Sequence, residues 1–156
     1  MGSTAKDLYE EGIKLSFDYC GVSGVFDYLN GETLPASYVD PASSSNNFSS
    51  GFSKTTVKWD ENADMETKLE RIITQKWIAI FPDGQEAWSE FRRTGYPKVF
   101  PVVVNNSGGT VNTITQIRRI PFSSVEKLNN PTGVEKGVAL LGGPDHGGTK
   151  LWWDKK

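Results

Sequence analysis

The sequence is short of the residues on which most catalytic and metal chemistry rests. Its 156 residues include one histidine, His146, and one cysteine, Cys20. A single cysteine excludes an internal disulfide framework. A single histidine excludes a multi-histidine metal site. Asp145 beside His146 could orient an imidazole, but no serine or cysteine stands in a nucleophile motif. His146 therefore reads as a loop residue. No apolar run is long enough to span a bilayer. The N-terminus lacks the charged-then-apolar pattern of a signal peptide. Neither sign of charge is in excess. Lys and Arg total 17 against 19 Asp and Glu, a net charge of −2. Nothing in that balance recommends a nucleic-acid partner.

Other chemistry is missing as well. Gly148-Thr149-Lys150 has the wrong order for a phosphate-binding loop. Loop carboxylates such as Asp145 and Asp154 lack the spacing of a calcium-binding loop. Asp83 with Glu86 is the nearest carboxylate pair that could serve glycoside hydrolysis, yet D-x-x-E is also the spacing of a helix capping box. Capping explains both residues. No catalytic residue, metal site or cofactor is expected, and the chain is not expected to be an enzyme.

What is present is helical pattern. Asp64 to Lys98 reads as two helices joined by a tight turn. Met65, Leu69, Ile72, Ile73, Ile80 and Phe81 keep to one stripe of an amphipathic helix. Trp77, Ile78 and Ala79 widen that stripe, which predicts a helix end buried on most sides. Asp64 can cap its start, and Pro82 ends it. Asp83 and Glu86 open the second helix, with Ala87, Trp88 and Phe91 inward, and Gly95 closes it. So short a connection predicts antiparallel packing. Thr4 to Cys20 reads as another helix, with Ala5, Leu8, Tyr9, Ile13, Phe17 and Cys20 on one face. Thr4 and Asp7 form its capping box, and Gly21 its stop. A short helix with Val25, Phe26 and Leu29 inward completes a second hairpin.

The rest is less regular. Residues 32–53 are loop-like, rich in Ser and Asn. Val99 to Val104 and Val111 to Ile120 are β-prone around Asn105-Asn106-Ser107-Gly108-Gly109, so a small β-hairpin is conceivable, although Pro101 argues against a central strand. A short helix is expected after Pro131. Arg92-Arg93 and Arg118-Arg119 are expected to reach carbonyls and carboxylates and hold the later loops. Trp152 and Trp153 read as docked into the body. A chain of this length can bury roughly 68–70% of its unfolded surface, enough for a core.

Four stretches together resemble the C-terminal part of the SusD/RagB family, the surface glycan-binding lipoproteins of Bacteroidetes outer membranes. They are IITQKWIAIFPDGQEAWSEFRRTGYPK (Ile72 to Lys98), YEEGIKLSF (Tyr9 to Phe17), IRRIPF (Ile117 to Phe122), and Gly142-Gly143 followed by LWWD (Leu151 to Asp154). The resemblance implies a mainly α fold of tetratricopeptide-like (TPR-like) antiparallel helical hairpins with long irregular loops. The A-x-x-x-F signature of such repeats occurs once, Ala87 to Phe91. Met1-Gly2-Ser3 reads as a vector-derived leader, and the resemblance implies 4–156 as a single-domain C-terminal portion of a longer protein, with the lipid anchor absent from this chain. It further implies a place at the outer-membrane surface over a SusC-like TonB-dependent transporter, binding oligosaccharide or polysaccharide for uptake without cleaving it.

Aromatic residues are the one chemical excess, at 12%. Sugars stack on aromatic faces while polar groups fix their hydroxyls. Trp77, Trp88, Trp152 and Trp153 have structural roles on this reading. Tyr28, Tyr38, Phe48, Phe52 and Tyr96 are the weak glycan-binding candidates. The chain is expected to be chiefly scaffold. The alternative is a TPR-like protein–protein interaction module with no sugar binding. A cut repeat array leaves an apolar face open, so self-association of the truncated chain is a further expectation.

Overall fold

The computed structural model describes residues 2–49 and 53–154. Its contacts divide into two compact units. The first comprises Met1–Ser37 and Ser50–Val99, and the second Tyr38–Ser49 and Phe100–Lys156.

The first unit is helical. It contains α1 (Ala5–Cys20), α2 (Val25–Leu29), α3 (Met65–Ala79) and α4 (Gly84–Thr94). Local chemistry sets most of the ends. The Thr4 hydroxyl accepts from the Asp7 N–H while Asp7 accepts from the Thr4 N–H, the reciprocal capping box expected there. Asp64 accepts from the Thr67 N–H at 2.8 Å and starts α3. Asp83 accepts from the Glu86 N–H at 3.1 Å and starts α4. Gly21 and Gly95 end their helices in the left-handed conformation, at φ 66° and 76°, where a Cβ would be strained. α2 differs in one respect. Gly24 precedes it, and no side chain caps it.

α1 packs against α2 and α3, and α3 against α4. Tyr9, Ile13 and Leu29 form the buried centre, with Phe17, Tyr28, Val57, Trp59 and Ile72 packed around it. The Tyr9 ring lies 5.2 Å from that of Trp59, and its hydroxyl donates to the Val57 carbonyl at 2.5 Å. Ile73 is buried on α3. Lys76 crosses from α3 to α4, bonding Glu86 at 2.8 Å and Glu90 at 3.2 Å.

The second unit is mostly loop, with α5 (Ser124–Asn129) and α6 (Pro131–Leu141). Asn130 ends one helix and caps the next, accepting from the Gly133 N–H at 3.1 Å, and Pro131 opens α6. Gly137 is a packing requirement. A Cβ there would lie 2.8 Å from the Phe122 ring. The conceivable β-hairpin over 99–120 does not become a ladder. Among the described residues of that segment there is one isolated bridge, Asn112 with Gln116, and one cross-bond, Val102 N–H to the Thr113 carbonyl at 3.2 Å. The Asn105 and Asn112 side chains bond nearby backbone groups instead, the competition with sheet pairing that such residues offer.

Several expected burials are not met. Leu8 and Cys20 on α1, Phe26 on α2, and Met65 and Phe81 at the ends of α3 are exposed. Trp77 is 42% exposed and Ile78 51% exposed. A stripe in the sequence reports that a surface is apolar, not that this chain covers it. Trp152 stands 81% exposed while Trp153 is half-buried.

Candidate functional site

The aromatic candidates among the described residues divide between the two units. Tyr28 is half-buried against Phe17, with ring centroids 5.2 Å apart, and its hydroxyl donates to Gln75 Oε1 at 2.7 Å. Tyr96 donates to Glu66 Oε2 at 3.0 Å. Burial and the neighbouring Glu66 carboxylate push its phenol up to about 12. Both belong to the first unit. Tyr38 and Phe48 come together in the second. They form a backbone bridge with bonds of 3.0 Å in both directions. The Phe100 ring lies 5.3 Å from Tyr38 and 6.1 Å from Phe48. The Tyr38 hydroxyl donates to Asp40 Oδ2 at 2.9 Å, and Asp40 also accepts from the Ala42 and Ser43 N–H groups. Those bonds hold the Asp40 carboxyl below the usual range. Phe52 lies outside the described residues.

Two clefts remain. The first unit has an apolar groove of about 240 Å3 lined by Leu8, Gly12, Phe17, Tyr28, Ile72 and Ile78. The second has a polar cleft of about 460 Å3 where residues 105–113 meet residues 144–149, lined by Asn105, Thr110, Asn112, His146 and Thr149. Close backbone contact builds that cleft. The Gly148 N–H donates to the Thr110 carbonyl at 2.8 Å, and a Cβ on Gly148 would sit 3.1 Å from the Asn112 nitrogen.

The paired arginines of the second unit act as expected on their carboxylates. Arg118 is buried and grips Asp154 through two bonds, one of 2.7 Å from Nε and one from the terminal nitrogen. The Arg118 and Arg119 N–H groups both donate to the Gly147 carbonyl. Arg119 bonds Asp145 at 2.5 Å and Lys127 bonds it at 2.8 Å. Burial pushes the Asp145 carboxyl up, but the bonds from Lys127, Arg119 and the Phe122 N–H outweigh it and hold the group at about 2. Asp145 and Asp154 are thus committed to cations of the chain itself. Among the described residues no three His, Cys, Asp or Glu side chains gather as metal ligands would. Asp83 and Glu86 are likewise engaged, one in the cap of α4 and the other with Lys76.

The sequence did not single out the exposed stripe of α1. Leu8, Leu15 and Tyr19 are all open to solvent, and Gly12 lies among them in the sequence. Their spacing is that of one helix face. The signal was there to read, since a second apolar stripe runs beside the buried Tyr9 and Ile13.

The chain has clear relatives. Residues 1–154 match the SusD-like family, described as the SusD and RagB outer-membrane lipoproteins. A chitin-binding SusD homologue from Flavobacterium johnsoniae is 55% identical with a TM-score of 0.86, covering 98% of this chain and 32% of its own. A SusD homologue from Bacteroides uniformis is 47% identical at a TM-score of 0.88, covering 99% of this chain and 32% of its own. A SusD-like protein from Bacteroides thetaiotaomicron is 45% identical at 0.87, covering 100% and 33%. The chain therefore spans about a third of the length of these solved relatives. No curated protein matches it. No helix among the described residues is long and apolar enough to cross a membrane. The mainly helical fold, the matched family and the identity to its solved members agree, and the chain belongs to the SusD-like family of outer-membrane lipoproteins.

Proposed function

We propose that this chain is the C-terminal portion of a surface glycan-binding protein, and that this portion serves chiefly as scaffold. The whole protein would bind oligosaccharide or polysaccharide at the outer membrane without cleaving it and pass it to a SusC-like TonB-dependent transporter. Members of the SusD-like family are carbohydrate-binding components rather than enzymes. The observation that carries the reading is 55% identity, over 98% of the chain, to a chitin-binding member. Chitin-type oligosaccharides are accordingly the first ligands to try. The scaffold assignment rests on the aromatic candidates. Tyr28, Tyr38 and Tyr96 each spend their hydroxyl on a partner within the chain, and the aromatics divide between two units. Among the described candidates, Tyr38 and Phe48 come together with Phe100 in an aromatic cluster against which a sugar face would be tested first.

A chimera tests this. The matched third of the Flavobacterium johnsoniae homologue is replaced by this chain, and chitooligosaccharide binding is followed by calorimetry. Affinity within about threefold of the parent and no released reducing ends are expected. A loss of tenfold or more would place ligand contacts in this third and overturn the scaffold assignment. Reducing-end release would overturn the non-cleaving one.

The second reading is a TPR-like protein–protein interaction module. The open apolar face of α1 and α3 favours it. Glycan affinity retained in the chimera would count against that reading.

A further inference from the structure

We infer that Asn30-Gly31 is a self-modification site, at which the asparagine side chain is lost as ammonia when the short helix α2 opens. It is the one Asn-Gly pair of the chain, and every other asparagine precedes a residue with a side chain. A glycine leaves its own nitrogen free to approach the preceding side chain, where a Cβ would obstruct it. Asn30 is exposed, so water has access to it.

The reaction needs only that water. The Gly31 nitrogen forms a bond to Asn30 Cγ and gives up its proton. The bond from Cγ to the side-chain nitrogen breaks, and that nitrogen leaves as ammonia. The five-membered imide so formed then adds one water at either of its two carbonyls. Opening one C–N bond leaves aspartate. Opening the other leaves isoaspartate, whose main chain runs through the side-chain carbon. One water enters, one ammonia leaves, and nothing is oxidised or reduced.

The folded chain holds both reacting groups out of position. Asn30 ends α2 at φ −92° and ψ 5°, which turns the Gly31 nitrogen away from Cγ. Asn30 Nδ2 donates to the Phe26 carbonyl at 2.8 Å. The Gly31 N–H donates to the Tyr28 carbonyl at 2.9 Å, and the Gly31 carbonyl accepts from the Lys58 N–H at 3.1 Å. Ring closure must break the Gly31 N–H bond and rotate ψ, so it waits on local opening. The helix that guards the pair is the shortest of the first unit. It has five residues and no side-chain cap, too few to persist in water unaided. Leu29, buried with Tyr9 and Ile13, keeps it in place.

The product acts back on the core. Isoaspartate lengthens the main chain by one carbon between α2 and Gly31, which displaces the Gly31 carbonyl from the Lys58 N–H. The neighbouring Val57 carbonyl accepts the Tyr9 hydroxyl at 2.5 Å, so the loosened stretch is one that holds a core side chain. Each opening of α2 thus risks a change that hydrolysis does not reverse, and the modified fraction records how often α2 has opened. This chemistry is independent of any glycan.

The test incubates this chain at neutral pH, folded and in guanidinium chloride, and maps its peptides by mass spectrometry. Gain of one mass unit at Asn30, divided between aspartate and isoaspartate, is expected to be about tenfold or more faster in denaturant. Leu29→Ala is expected to raise the rate in the absence of denaturant. Gly31→Ala is expected to suppress it in denaturant, where folding plays no part. The isoaspartate form, separated by ion exchange, is expected to melt a few degrees below the parent. Equal rates in folded and denatured chains would overturn the gating by α2. Faster modification of another asparagine in denaturant would overturn the site, and an unchanged Tm of the isoaspartate form would overturn its effect on the core.

Discussion

The two units are held by different physics. The first is a set of capped helices around apolar side chains, with Tyr9, Ile13, Leu29 and Ile73 buried. The second has one buried apolar residue of that class among those described, Val134, beside buried Arg118, Arg119 and Asp154, whereas the first adds buried Glu70, Arg71 and Glu90 to an apolar centre. Its loops are tied by ion pairs and by carbonyls shared between N–H groups. Helices satisfy their own backbone, so their side chains are free to make a core. Irregular loops have no such internal ladder, and their polar groups must find side chains or distant backbone. The lesson is that both units bury charge, but the first sets it beside capped helices and an apolar centre, whereas the second rests on ion pairs with little apolar burial.

The largest effect should come from breaking the second unit at its ion pair. Arg118 and Asp154 side chains are 3% and 0% exposed. Asp154→Ala leaves a buried guanidinium without its carboxylate, which costs about 3–5 kcal/mol. Urea unfolding should show this loss, and a change under about 1 kcal/mol would mean that the pair is solvated.

The first unit should respond to loss of apolar volume. Ile13→Ala should cost on the order of 2–5 kcal/mol, toward the lower end because the core is small. The same urea series reads it. If Ile13→Ala were neutral while Asp154→Ala unfolded the chain, the first unit would not owe its stability to burial.

Acid sharpens the contrast. The folded Asp145 carboxyl titrates near 2, below its ordinary value of 3.8. A depressed carboxylate contributes stability that is fully present above the unfolded value. That contribution is lost as pH falls from about 4 toward 2. Asp145→Asn should therefore flatten the stability profile in that window and leave the profile above about pH 5 parallel to the parent. An unchanged acid limb in the variant would show that Asp145 is not a source of it.

Two smaller changes complete the series. Thr4→Ala removes the cap of α1 and should cost about 1 kcal/mol. Trp77→Ala should cost less than a core truncation, since Trp77 is 42% exposed. A loss as large as that of Ile13→Ala would return Trp77 to the core.

This division also explains what the sequence made legible. Thr4 with Asp7, Asp64, Asp83 with Glu86, Gly21 and Gly95 act within a few residues of themselves, and each marks its helix end as expected. The family was legible too, from four short stretches in order. The exposure of Phe26, Trp77 and Ile78 was not, because periodicity identifies an apolar face without saying whether the same chain covers it. Arg118 meets Asp154 across 36 positions, a pairing no local pattern encodes. Tyr38 and Phe48 were visible as aromatics in a polar loop, but their partner Phe100 was hidden in a run that read as a strand. The glycan contacts stayed unreadable for a related reason. Sugar recognition needs aromatic and polar groups converging in space, and no local pattern encodes such convergence.

The most direct measurement is a thermal melt of this chain alone, repeated with chitooligosaccharides and a panel of other glycans. Ligand at 100 times its Kd adds about 2.7 kcal/mol, enough to move the midpoint of a domain this size by several degrees. The scaffold account predicts a cooperative melt that no glycan moves. A shift of several degrees with one glycan class would contradict it and place a binding site within these residues.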